Sequence, residues 1–150
     1  MCEILFRGKT KAITGCPYNN GKPDGKWVFG YVFSDLGAMK IRQYETDRPE
    51  CNDYEVDPET VGQYTGLTDK NRTKIFEGDI VKGITYSVTK TGVIVWIDEI
   101  SSFGVRYVNA PNPTAWENSS ILRCVSMGKT DEFAAEVIGN IYDNPELLKE

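Results

Sequence analysis

The sequence predicts a mainly β protein: an N-terminal β-strand region, a small C-terminal SH3-like β-barrel and a short C-terminal helical turn. Three observations predict it. Side chains alternate with period two in short runs such as Trp27–Phe33 and Phe103–Val108. Turn residues punctuate the chain between those runs. β-Branched and aromatic residues crowd into them, above all in Gly92–Ile97, which reads GVIVWI. The 150 residues suffice for a sizeable core. Residues 1–60 form the N-terminal strand region and residues 61–150 the barrel with its terminal turn, expected as one integrated unit.

The elements follow in order. Ile4-Leu5-Phe6 reads as a strand that ties down the N-terminus. Lys9 to Lys26 is loop-like, with Asn19-Asn20-Gly21 and Pro23-Asp24-Gly25. Its Gly21–Lys26 segment resembles a phosphate-binding loop only superficially: the glycines are too close, Trp27 follows the lysine, and no helix pattern comes next. Trp27, Phe29, Tyr31 and Phe33 share one face of the next strand, and Val28, Gly30 and Val32 the other. A strand apolar on both faces is expected to be buried on both, or covered by a partner chain. Asp35-Leu36-Gly37 turns into a strand over Lys40–Tyr44. An acidic loop then leads to Asp57-Pro58-Glu59-Thr60. Beyond Val81 the spacing is regular: strands over Ile80–Tyr86, Gly92–Ile97, Phe103–Val108, Ile121–Val125 and Glu136–Tyr142, with a turn at Thr89–Thr91. Trp96 is expected in the core. Asn144 stands as an N-cap before Pro145 and one turn of helix.

The chain is organised around Gly62–Val81, GQYTGLTDKNRTKIFEGDIV. Its turn chemistry alternates with short apolar pieces: Asp69–Arg72 is one turn and Glu77-Gly78-Asp79 another. Glu77 and Asp79 read as turn and strand-entry residues rather than as a metal or acid–base pair. The lead-in Val56–Val61, the segments Tyr64–Leu67 and Asp69–Asn71, and Glu77–Val81 resemble the signature of the YopX family of phage and prophage proteins. Glu3–Lys9 with Trp27–Tyr31 resembles its N-terminal piece, and Glu136–Leu148, EVIGNIYDNPELL, its C-terminal piece. Where that family usually has Gly after the turn Asn, this chain has Arg72, which leaves the turn type open. The resemblance implies a small barrel and a phage or prophage setting in a bacterial host; it implies no mechanism.

Composition excludes several functions. No apolar run is long enough to cross a membrane as a helix and no signal segment opens the chain, so a cytoplasmic location is expected. The net charge of −5 disfavours general nucleic-acid binding, which rests on neutralising phosphates. Acidity concentrates in Glu45–Glu59, read as a solvated loop. The cysteines Cys2, Cys16, Cys51 and Cys124 include no C-x-x-C and histidine is absent, so neither a zinc site nor a disulfide framework is expected. Without histidine the usual general base and nucleophile activator at neutral pH are missing. No catalytic, cofactor or metal residue is therefore assigned.

Aromatics carry the functional expectation. Trp116 follows the Pro111–Pro113 loop, and Arg106 and Tyr107 lie on a neighbouring strand. Trp, Tyr and Arg are the residue types that dominate interface energetics. The expected function is that of a non-enzymatic accessory protein that binds a host or phage protein and associates with itself. The alternative is a nucleic-acid-binding barrel that stacks bases on aromatics.

Overall fold

The computed structural model describes residues 3–11, 25–43, 53–85, 88–108, 119–121 and 135–149. They are mainly antiparallel β-structure and divide into two compact units, Met1–Tyr64 and Thr65–Glu150. The mainly β expectation holds.

The first unit contains β1 (Phe6–Lys9), β2 (Trp27–Asp35), β3 (Ala38–Arg42), β4 (Asp53–Glu55) and the start of β5 (Gly62–Thr68), in the sheet order β4-β3-β2-β1-β5. The N-terminal strand begins two residues later than Ile4. Leu5 still contributes, because its carbonyl accepts the Tyr64 amide at 2.8 Å. β2 and β3 are joined by Leu36 and Gly37 alone, since Asp35 pairs with Ala38. Both linking residues have positive φ, 49° and 83°, the signature of a type I′ turn, which matches the twist of the strands it joins. Gly37 accepts that conformation freely; Leu36 does not, and its side chain is fully exposed.

The even-numbered face of β2 supplies the core. Val28 packs with Ile41 and Val56, and Val32, Met39, Tyr54 and Val61 surround them. Gly30 is dictated by strand proximity: a Cβ there would lie 1.9 Å from the Arg42 carbonyl oxygen. The part of the acidic stretch within the described residues is structural rather than loose. Asp53–Glu55 is a strand paired to β3. Asp57 caps a 3-10 turn over Pro58–Thr60 by accepting the Glu59 amide, with Pro58 where a missing N–H costs nothing. The Thr60 hydroxyl accepts the Lys9 amide at 2.8 Å and donates to the Asp57 carbonyl at 2.7 Å, fastening that turn to β1.

In the second unit the rest of β5 pairs with β6 (Lys74–Phe76). Then β7 (Asp79–Thr85), β8 (Val88–Ile97), β9 (Ser102–Tyr107), β10 (Ser119–Ile121) and β11 (Glu136–Asn140) form a sheet in the order β10-β9-β8-β7-β11. Among the described residues its ends do not pair with each other, so the sheet is open where a small, partly closed barrel was expected. Thr89–Thr91 is strand, not turn: Lys82 pairs with Thr91 and Ile84 with Thr89, and β-branched threonine suits a ladder. Ile75, Val81, Ile94, Val105 and Ala135 form the core. The short C-terminal helical turn is a 3-10 turn over Pro145–Leu148 with Asn144 at its cap position. Asn144 Oδ1 does not cap that turn; it faces the Asn140 amide at 3.4 Å.

Two substitutions test these backbone arguments. Gly30→Ala forces a methyl group into the β3 backbone and should destabilise the chain by about 3 kcal/mol in urea melts, the upper range for overpacking. Leu36→Asn relieves the left-handed strain and should raise stability by about 1 kcal/mol in the same measurement.

Candidate functional site

The opposite face of β2 is where the chain leaves large side chains uncovered. Trp27, Phe29, Tyr31 and Phe33 project from it, and Phe29 and Tyr31 are 43% and 48% exposed. Of the two faces expected to be buried or covered by a partner chain, the Val28 side is core, and among the described residues the other is only partly covered. Pairing registers place a cation beside each aromatic. Lys9 is opposite Trp27 and Arg7 opposite Phe29 on β1, whereas Arg42 is opposite Tyr31 and Lys40 opposite Phe33 on β3. The Arg7 guanidinium carbon stands 4.6 Å from the Trp27 ring centroid, Lys9 Nζ 5.6 Å from it, and the Arg42 guanidinium carbon 5.1 Å from that of Phe33. These are cation–π distances.

The charges are ordered across the face. On β3 the cations are engaged by carboxylates. Arg42 donates twice to Asp53 at 2.7 Å, a fork that only arginine offers. Lys40 donates to Asp35 at 2.6 Å, and that hydrogen bond holds the Lys40 amine above its ordinary pKa. β4 adds acidic Asp53 and Glu55 next to Arg42 and Lys40. The patch thus runs from a cationic corner at Lys9, beside the first residue of β2, to an acidic corner at Glu55, on the far side of Phe33. Between those corners lies the aromatic ridge.

The second unit holds a different kind of polar centre. Asp69 is buried, with 1% of its surface exposed. Its Oδ1 accepts the amides of Asn71 at 2.8 Å and Thr73 at 2.9 Å, and its Oδ2 accepts the Val137 amide at 3.0 Å. Burial is the largest influence on its pKa and raises it. The amides of Val137, Thr73 and Asn71, with the Thr73 hydroxyl, together outweigh burial and hold the carboxyl below its ordinary value. Beside it Lys70 Nζ meets Glu136 Oε2 at 2.6 Å. Asp79 is likewise buried and accepts the Phe76 amide at 2.8 Å, which accounts for the Glu77-Gly78-Asp79 turn. Asp69 and Asp79 thus organise backbone, and Glu136 pairs with a side chain. Among the described residues no group of three His, Cys, Asp or Glu side chains is placed to hold a metal ion.

Of the expected binding residues, Trp116 lies outside the described residues, as do the four cysteines. Arg106 and Tyr107 are adjacent on β9 and point to opposite faces. Tyr107 packs against the core with Lys90 Nζ 5.1 Å from its ring centroid, while Arg106 is exposed. Trp96, expected in the core, is 43% exposed and meets Phe103 edge-on, with centroids 5.0 Å apart. Phe29 and Tyr31 were grouped by sequence alternation but not singled out. Their signal was the second apolar face of a strand that needs only one.

The YopX protein family model matches residues 30–149. The chain belongs to the YopX family. No curated protein sequence matches it. Among solved structures, the crystal structure of protein EF1440 from Enterococcus faecalis is similar, with 21% identity, 99% of each chain covered and a TM-score of 0.41. In this YopX chain the residue after the turn Asn, Arg72, takes φ 65°, the left-handed conformation that a glycine would adopt without strain. Its amide donates to the Asp69 carbonyl at 2.9 Å, so the same aspartate supports the turn through backbone and side chain.

Asp69 gives a pH prediction. Its folded pKa is depressed, so its contribution is complete above the ordinary carboxylate value and is lost as pH falls through the lower folded value. Asp69→Asn turns one acceptor into a donor that faces an amide and should cost about 3 kcal/mol at pH 7. In urea melts the gap between the two proteins should narrow steadily from about pH 4 downward.

Proposed function

We propose that this YopX protein is a non-enzymatic protein-binding module, acting in a phage or prophage setting inside a bacterial host, and that the odd-numbered face of β2 is its contact surface. The observation that carries the reading is the exposure of Phe29 and Tyr31, side by side on a sheet face whose reverse side already supplies the core. A monomer gains nothing from leaving two such rings in water, because each would bury roughly 150–250 Å² in a contact. Aromatics with arginine beside them are the composition of interface centres. The partner is a host or phage protein, another copy of the chain, or both. The reading requires no cofactor.

The same aromatics and cations favour a second reading, single-stranded nucleic acid stacked on the ridge. Two observations weigh against it. Lys40 and Arg42 are engaged by Asp35 and Asp53, and Glu55 adds negative charge where a phosphate backbone would run. The chain as a whole carries a net charge of −5.

The test is a pull-down from host lysate with the tagged chain and with Phe29→Ser/Tyr31→Ser, each with and without nuclease. Truncating a central aromatic commonly costs about 2 kcal/mol or more. Recovery of a discrete protein should therefore fall more than about tenfold in the double variant and be indifferent to nuclease. Equal recovery by a folded double variant, or recovery that disappears with nuclease, overturns the reading.

A further inference from the structure

The charge order across the β2 face identifies an occupant. We infer that the face is self-complementary and takes a second copy of this chain, packed face to face about a two-fold axis. This inference rests on the face being a protein-contact surface and adds who the partner is and how it docks.

The geometry follows from the pairing registers. Lys9 pairs with Trp27 and so marks one end of the ridge on the β1 side. Glu55 pairs with Lys40, which pairs with Phe33, and so marks the opposite end on the β4 side. The two charges therefore occupy diagonal corners of a four-strand patch. A two-fold axis in the plane of contact, perpendicular to the line joining them, exchanges those corners. It brings Lys9 of each copy onto Glu55 of the other, twice by symmetry. The centre of the patch lies beside Phe29 and Tyr31, the two most exposed rings of the ridge. The axis passes next to them, and the two ridges cross at a steep angle, as in orthogonal sheet packing.

Other occupants fit less well. A polyanion would meet Glu55 and Asp53 along one flank. A uniformly acidic protein would meet the same repulsion, and a uniformly basic one would meet Lys9. A partner with opposite charges at opposite corners, and an aromatic ridge between them, is the chain itself. Lys9 and Glu55 are both half-buried, and neither belongs to the core.

The experiment measures mass in solution by light scattering on a sizing column at about 50 μM, for the full chain and for Lys9→Glu and Glu55→Lys. The unsubstituted chain should associate. Each single variant juxtaposes like charges at both corners. In Lys9→Glu two carboxylates face each other there, and in Glu55→Lys two ammonium groups do. The dissociation constant of either should rise at least tenfold, roughly. An equimolar mixture of the two variants restores opposite charges at both corners, so the mixture should regain the mass that neither variant reaches alone. Lys9→Gln and Glu55→Gln serve if a reversal lowers folding, judged by circular dichroism, and should weaken association more mildly. A monomeric unsubstituted chain, unchanged mass in folded variants, or a mixture that stays dissociated each overturns the inference. If the unsubstituted chain is monomeric while Phe29→Ser/Tyr31→Ser still loses a lysate protein, the contact surface stands and its occupant is a different protein.

Discussion

In the second unit a buried carboxylate ties a turn to a strand far away in sequence. Asp69 receives amides from Asn71 and Thr73 within its own turn and from Val137 on a strand distant in sequence. A carboxylate with 1% of its surface exposed is costly unless its oxygens are satisfied, and here three donors satisfy them. The arrangement fixes the Asp69–Thr73 turn and anchors β11, which then pairs with β7 beside the core residue Val81. The strain at Arg72 is sustained for the same reason. The turn is over-determined by hydrogen bonds, so a left-handed arginine is tolerated where a glycine would be free.

The first unit shows the complementary situation, a strand with more apolar surface than its fold requires. Gly30 lets β3 approach β2 closely, and Val28 and Val32 complete the core on that side. On the remaining face Phe29 and Tyr31 are exposed. Two of its rings, Trp27 and Phe33, have cations from the neighbouring strands against them, and the two cations on β3 are engaged in turn by aspartates. Sequence alone brings these residues onto one face; the register decides which charge sits beside which ring.

Much of the fold was legible in local chemistry, and the failures have physical causes. Period-two alternation located β2 and β9, β-branched and aromatic composition located the end of β8, strand spacing located β7, and Asp-Leu-Gly located the hairpin turn despite its leucine. Thr89–Thr91 misled because hydroxyl residues suit both turns and ladders, and the register with β7 decided for the ladder. Asp69 read as turn chemistry, which it is, but its third hydrogen bond to Val137 has no local signature. Composition alone makes the acidic stretch look like a solvated loop. Yet Asp53 and Asp57 act at defined places, one on Arg42 and one at a cap. Arg106 and Tyr107 were joined by proximity in sequence, yet neighbours in a strand face apart. Trp96 was assigned to the core by its surroundings, but it lies near the strand end, where cover runs out.

The short strand β4 bounds the patch, and its brevity has a consequence for assembly. Three residues, two of them acidic, offer a poor template for another strand to zip onto. Copies approaching sideways would find little backbone to pair with and like charge to repel them. Growth by open-ended strand addition is thereby discouraged on that side. Were two copies to meet through the broad aromatic surface instead, a two-fold contact would close on itself as a dimer.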